Sequence, residues 1–235
     1  MTAIILLVLI VFLAFLVEAT LGFGATVVTV VLGVFLFPLD LLLPAFVPLN
    51  LVLSLYLVGR YVKDVAWRLL LLRIVPLMGV GMPVGMFLFH SAGHQWLNVA
   101  FGTFVVLLSA VELWRLRSAA GQTQPLRMPA RVALLVSGGM IHGAFATGGP
   151  MAVYVAGREI EGKSQFRSTL SALWFVLNAV LVIGYAIGGE LGQESLTLTA
   201  YLVLPLVFGL VAGEWLHARV RVSLFRILVF ALLLV

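Results

Sequence analysis

Two short stretches of the chain join glycine to residues that can hold an anion. Gly22-Phe23-Gly24 interrupts one apolar run, and Thr147-Gly148-Gly149-Pro150 interrupts another. Glycine favours a break in a helix, and Pro150 has no backbone donor to continue one. Where a helix restarts inside a bilayer, its first N–H groups are unpaired and its dipole end is positive, which suits an anion. The alternative is that these glycines only allow helices to pack closely. Asn50 and Asn178, two of the three asparagines in the chain, fall near the middle of apolar runs. There an amide either donates to an anion's oxygen or bonds a neighbouring helix. Ser54, Ser171 and Trp174 lie within a turn or so of them and could line the same cavity, although serine often bonds its own helix. Glu18 and His142 each stand just before a break. An ionisable group so deep lines a pathway or relays a coupled proton, or else belongs to an internally satisfied polar pair.

The elements that hold these residues must be membrane helices. Of the 235 residues, 63% are apolar and 10% are charged, which excludes a soluble globular protein. The absence of cysteine excludes a disulfide scaffold, a thiolate metal site and a Cys nucleophile. A net charge of +5 is no sign of nucleic acid, because the basic residues sit at the ends of apolar runs instead of on one soluble face. His90 and His94 have i, i+4 spacing but no third ligand nearby, so they read as interfacial residues, with no metal and no cofactor implied. H-E-x-x-H, G-x-S-x-G and P-loop motifs are absent, and the chain is not read as an enzyme.

Apolar runs cover Thr2 to Phe37, Leu41 to Gly59, Trp67 to Phe89, Gln95 to Leu116, Ala130 to Gly157, Phe166 to Gly188, Leu196 to Leu216, and Val222 onward. At 1.5 Å per residue the first would be about 54 Å long as one helix, against a hydrocarbon core of about 30 Å. It is therefore expected to be two half-helices that meet at Gly22 to Gly24, and the fifth run likewise at Thr147 to Pro150. No basic residue precedes the first run and no cleavage site follows it, so it does not read as a signal peptide. The last run, to Val235, is about 21 Å long and is expected to end part-way across the membrane or to continue beyond residue 235.

All 14 basic residues fall in four groups: around Arg60 to Arg73, Arg115 to Arg131, Arg158 to Arg167, and Arg219 to Arg226. Basic residues in short loops stay on the cytoplasmic side, where they also meet anionic lipid. Within this pattern Glu214 reads as a structural ion pair, and Arg73, more than a turn inside its helix, either snorkels or meets a leaving anion. The fifth run has basic groups at both ends and must enter and return. Each half then holds one broken-helix hairpin and three full crossings, so the halves have opposite orientation and both termini lie outside. A weak repeat agrees: Asn50 and Asn178, Gly81 and Gly209, and Gly85 and Gly213 are each 128 residues apart. The expected fold is an all-α integral membrane protein of about 8–10 helical segments with an inverted-topology repeat. Its parts are a first repeat over 1–117, a cytoplasmic linker over 118–129 and a second repeat over 130–235, forming one transmembrane domain. The GxxxG pairs Gly81/Gly85 and Gly209/Gly213 are read as helix-packing positions.

The segment Glu18 to Ala25, its counterpart Gly143 to Pro150, and Arg167-Ser168-Thr169 followed by Asn178 resemble the TauE/SafE-type sulfite exporter family of membrane transporters along essentially the whole chain. The resemblance implies export of sulfite, an organosulfonate or a related sulfur compound across the cytoplasmic membrane, driven by an ion gradient or the membrane potential. The combined reading is a secondary transporter working by alternating access. Its substrate-binding candidates are Gly22, Phe23, Gly24, Asn50, Thr147, Gly148, Gly149, Pro150, Asn178, Ser54, Ser171 and Trp174, and its proton-coupling candidates are Glu18 and His142. Its partners are a small anion, membrane lipids, a coupling proton and a second copy in a homo-oligomer, without nucleic acid. The competing readings are an anion channel or uniporter for other small anions, an intramembrane enzyme and a structural membrane subunit.

The absence of native cysteine makes the topology testable by single-cysteine labelling. Ser118→Cys should react with an impermeant maleimide only from the cytoplasmic side. Labelling only from outside would contradict the orientation read from the basic residues.

Overall fold

The computed structural model describes residues 1–91, 99, 102–103, 106–107, 110 and 126–219. His90 falls within the described backbone, but its side chain, His94, most of the run from Gln95 to Leu116, the linker from Ser118 to Pro125 and the run from Val222 lie outside the described residues. Within them every element is helical: α1 (Thr2–Leu21), α2 (Ala25–Gly33), α3 (Leu39–Tyr61), α4 (Trp67–Leu69), α5 (Val75–Ser91), α6 (Met128–Phe145), α7 (Gly149–Glu159), α8 (Lys163–Gly188) and α9 (Gln193–Arg219). A π-helical turn, Leu70–Ile74, joins α4 to α5. Pro76 follows it and cannot donate to the carbonyl of Leu72, which removes one regular helical bond from this turn.

Among the described residues, five segments are long and apolar enough to cross a membrane: Thr2–Leu21, Leu39–Asp64, Trp67–Phe89, Lys163–Gly188 and Gln193–Arg219. Large apolar side chains such as Phe87, Ile187 and Phe208 point outward, 62–83% exposed. Only a hydrocarbon surround leaves so many of them uncovered without penalty. The chain is an all-α integral membrane protein.

The breaks fall where glycine is placed, but their arms are unequal. α1 has 20 residues and α2 only 9, and α6 has 18 against 11 in α7. The first arm, about 30 Å long, is long enough for a full crossing, so it is not a half-helix. Gly22 ends α1 with φ 85° and Gly24 begins α2 with φ 109°, a left-handed pair that only glycine adopts without strain. The second break occupies Ala146 to Gly148, slightly before the expected Thr147 to Pro150. Ala146 takes the left-handed turn itself, at φ 53°; its N–H bonds the carbonyl of His142, as that of Gly22 bonds Glu18.

α1 packs along α9, α5 along α6, and α3 along α8. Each interface has its own physical basis. A Cβ added at Gly81 or Gly85 of α5 would overlap the carbonyl oxygen of Val136 or Met140 on α6, and one at Gly139 or Gly143 of α6 would overlap Met78 or Met82 on α5. Gly209 and Gly213 meet Phe12, Phe15, Leu16 and Ala19 of α1 in the same way. These glycines let backbones touch, the usual means of association where water gives no hydrophobic drive between helices.

Basic connections meet one another. Ser164 Oγ donates to Asp64 at 2.5 Å, and the N–H of Ala66 donates to Thr169 Oγ1 at 2.9 Å. Arg73 and Arg131 both pair with Glu159, at 3.0 and 2.8 Å, so Arg73 holds a structural partner. Glu214 is likewise paired, with Arg60 and Arg167.

Gly85→Ala should lower thermal stability in detergent by about 1–3 kcal/mol, the cost of overpacking a tight interface. Gly79→Ala, with open space around the new Cβ, should leave it unchanged or slightly raised. Equal melting temperatures for the two variants would contradict the close α5–α6 contact.

Candidate functional site

Between the two breaks lies a cavity of about 20 Å³ lined by Glu18, Gly24, Thr26, Val27, Asn50, His142, Ala146, Thr147, Gly149, Trp174 and Asn178. It draws on the end of α1 and start of α2, the end of α6 and start of α7, and the middles of α3 and α8. Eight of the residues singled out in the sequence therefore share one wall. Gly22, Phe23, Gly148, Pro150, Ser54 and Ser171 do not line it. Gly148 is packed against Gly138 and His142, and Ser171 Oγ donates to the carbonyl of Arg167 one turn back on its own helix, at 3.0 Å. Ser54 is buried, and its hydroxyl has no hydrogen-bond partner among the described residues.

The first break is capped from within. Glu18 Oε2 accepts from the N–H of Ala25, the first of α2, at 2.9 Å. Asn50 Nδ2 donates to Thr26 Oγ1 at 3.2 Å and reaches Glu18 Oε2 at 3.5 Å. The expectation of two bare helix starts therefore needs correction: at α2 a protein carboxylate already takes the place an anion would occupy. The physical reason is that a helix end in an apolar bundle has no water to meet it. At the second break the residue in the corresponding place is His142, which faces the amide of Asn178. Neither the two imidazole nitrogens nor the two amide atoms make a hydrogen bond of good geometry, and Thr147 Oγ1 also lacks one. α7 begins without a side-chain cap. The two ends of the cavity thus differ in chemistry: the Glu18–Asn50 side is bonded to α2, and the His142–Asn178–Thr147 side keeps donors unspent.

Trp174 joins them. Its indole N–H donates to the carbonyl of Gly22 at 2.8 Å, and its ring stacks on His142 with centroids 5.6 Å apart and planes 15° from parallel. Both breaks are held by one side chain of α8.

Thr26, Val27 and Ala146 line the cavity without having been singled out, because a threonine, a valine and an alanine in an apolar run carry no signal of their own. Arg167 is the larger omission. The charge pattern places it in a cytoplasmic basic group and the family resemblance includes it only as part of Arg167-Ser168-Thr169, yet it is 1% exposed, donates to the carbonyl of Ala19 at 2.8 Å, and lies with its guanidinium 4.5 Å above the ring of Tyr61. The signal that finds it is spacing: 167, 171, 174 and 178 fall on one helical face.

Residues 7–235 match the family model described as Sulfite exporter TauE/SafE. No curated protein and no solved structure matches the chain.

Glu18→Leu leaves the Ala25 N–H without its acceptor, removes the longer of the two Asn50 amide contacts, and should cost about 1–3 kcal/mol of stability. Glu18→Gln, which keeps an accepting oxygen, should recover most of it. Thermal unfolding in detergent compares the two, and equal losses would show that Glu18 does not cap α2.

Proposed function

The chain belongs to the sulfite exporter TauE/SafE family, and on that premise we propose that it carries a small sulfur-containing anion out of the cytoplasm by alternating access. The observation behind this reading is the cluster of buried polar atoms that make no hydrogen bond of good geometry among the described residues around one cavity: both amide atoms of Asn178 and both nitrogens of the His142 it faces, the Thr147 hydroxyl, Glu18 Oε1 and Asn50 Oδ1. Buried polar groups left unsatisfied are costly. A ligand that accepts several hydrogen bonds removes that cost, and an oxyanion does so with each of its oxygens.

In the proposed cycle Asn178 and Thr147 donate to the anion, and the free N–H groups at the start of α7 add their positive dipole end. Asn50, with its amide nitrogen committed to Thr26 and Glu18, takes a positioning role. Protonation of Glu18 weakens its claim on the N–H of Ala25 and frees the start of α2 for the substrate. That links proton and anion movement through one group. His142 relays the proton on the opposite side of Trp174.

A cavity of about 20 Å³ has room for about one water, so the walls must separate to admit an anion. This supports alternating access over a standing pore. The reciprocal packing of α1 on α9 and α5 on α6 supports two halves that exchange their broken helices and rock against each other. The reading contains no chemical change of the substrate.

Proteoliposomes loaded with labelled sulfite, methanesulfonate, thiosulfate or sulfate, under imposed pH and voltage gradients, test the reading. Saturable flux of one or more sulfur anions is expected. Asn178→Leu should lower it by about tenfold, the effect of losing one donor to a buried anion, with folding retained. Wild-type flux in both Asn50→Leu and Asn178→Leu would remove these residues from the mechanism.

A further inference from the structure

We infer that Arg167 is a second anion site, on the cytoplasmic side of the cavity, where a sulfonate-type oxyanion is first captured on the free edge of the guanidinium. The inference rests on the transport reading above and deepens it.

Arg167 is buried in the junction of four elements. Its Nη1 pairs with Glu214 Oε1 on α9 and donates to the carbonyl of Ala19 on α1. Tyr61 at the end of α3 lies under its guanidinium and donates its hydroxyl to Glu214 Oε2 at 2.6 Å. Its own backbone, on α8, presses on Gly22, where a Cβ would meet Arg167 Cα at 2.8 Å. Nε and Nη2 make no hydrogen bond among the described residues. Those two nitrogens share one edge of the guanidinium and point their N–H groups in parallel, the fork that binds two oxygens of one oxyanion. A side chain serving only as a buried ion pair would be expected to spend these donors on carbonyls, because each unsatisfied one carries a desolvation cost.

The surroundings are those of a capture site. Arg60, Lys163 and His217 stand around the Arg167–Glu214 pair: Arg60 lies 3.4 Å from Glu214, Lys163 donates to the carbonyl of His217, and His217 Nδ1 lies 2.7 Å from the carbonyl of Thr20. Glu214 is the resident anion that a substrate must displace or share. From Arg167 the same face of α8 leads through Ser171 and Trp174 to Asn178, all buried, in a stripe of polar groups about 16 Å long at 1.5 Å per residue. On α3 the stripe with the same spacing runs the other way from Asn50, through Phe46 and Leu43 to Leu39, and is wholly apolar and buried; Phe46 stacks on Phe15 at 5.0 Å. Polar groups thus lead from the cavity towards the basic connections and an apolar plug closes the opposite way. An anion therefore meets its first ligand from the cytoplasmic side.

The test uses the full chain in proteoliposomes with labelled sulfite as the probe, measuring the dependence of flux on sulfite concentration at the cytoplasmic face. R167K keeps a charge for Glu214 but loses the fork, and should raise KM about tenfold with the maximal rate less affected. The double variant R167Q/E214Q removes both charges together, leaves no unpaired buried ion, and should fold with wild-type melting and elution while KM remains raised to a similar extent. Wild-type KM in R167K, or in a folded R167Q/E214Q, would overturn the site and leave the transport reading standing. Absence of flux in the wild type itself would overturn the transport reading, and this site with it.

Discussion

A helix that stops inside an apolar bundle leaves N–H and C=O groups that no solvent can meet, and among the described residues this happens at two breaks, Gly22 to Gly24 and Ala146 to Gly148. The other structural features follow from how those groups are satisfied. Gly22 and Ala146 turn left-handed and return their own N–H to the helix just ended. The carbonyl of Gly22 is met by Trp174, that of Ala19 by Arg167, and the first N–H of α2 by Glu18. Helix α8 supplies two of these three partners, so a long unbroken helix serves as the brace for the broken ones. The close α5–α6 and α1–α9 contacts hold the longer arms of the breaks against rigid neighbours, which keeps the turns in register with that brace.

The two breaks share a left-handed turn at the end of the first arm, Gly22 and Ala146, and differ in the residue that starts the second arm, where Gly24 is left-handed and Gly148 is not, and in their side chains. At corresponding places one carries a carboxylate and the other an imidazole, each beside an asparagine. A carboxylate can satisfy a helix start by itself, because it is an acceptor with negative charge, and it closes the first break. The imidazole of His142 faces the Asn178 amide and does not cap the helix that follows, so its end of the cavity keeps the start of α7 uncapped. In the proposed transport cycle this inequality gives the cavity a side that holds and a side that receives. A fully symmetric pair of breaks would be either self-satisfied on both sides or unsatisfied on both.

Polarity along the packed faces of α3 and α8 is also unequal. On α8 a buried arginine held by one carboxylate, one carbonyl and one aromatic ring lies about three turns before the cavity residue Asn178, and on α3 buried phenylalanine and leucine occupy the matching positions before Asn50. Buried ion pairs add little net stability when desolvation is counted, so the Arg167–Glu214–Tyr61 junction is better understood through what it can exchange than through what it stabilises. An apolar plug opens by separating surfaces; an ionic junction opens by trading one anion for another.

Composition and the spacing of breaks made much of the architecture legible before any coordinates. The hydrophobic run lengths, the glycines at 22 and 24, and the Gly-Gly-Pro of the second break determine an all-α membrane protein with interrupted helices, because a bilayer permits few other backbones. Asn50, Asn178, Glu18 and His142 stood out since polar residues are rare in such sequence. Which of them meet was decided only by the tertiary structure. That Glu18 reaches Ala25, that Trp174 bonds one break and stacks on the other, and that Arg167 is buried under Tyr61 depend on which faces of α1, α3, α8 and α9 come together. Pattern along the chain fixes the face on which a side chain lies, whereas its partner is set by packing between elements more than a hundred residues apart. Arg167 shows the difference most plainly: its position beside other basic residues places it at a cytoplasmic connection, and only the packing of Glu214 and Tyr61 against it puts it inside.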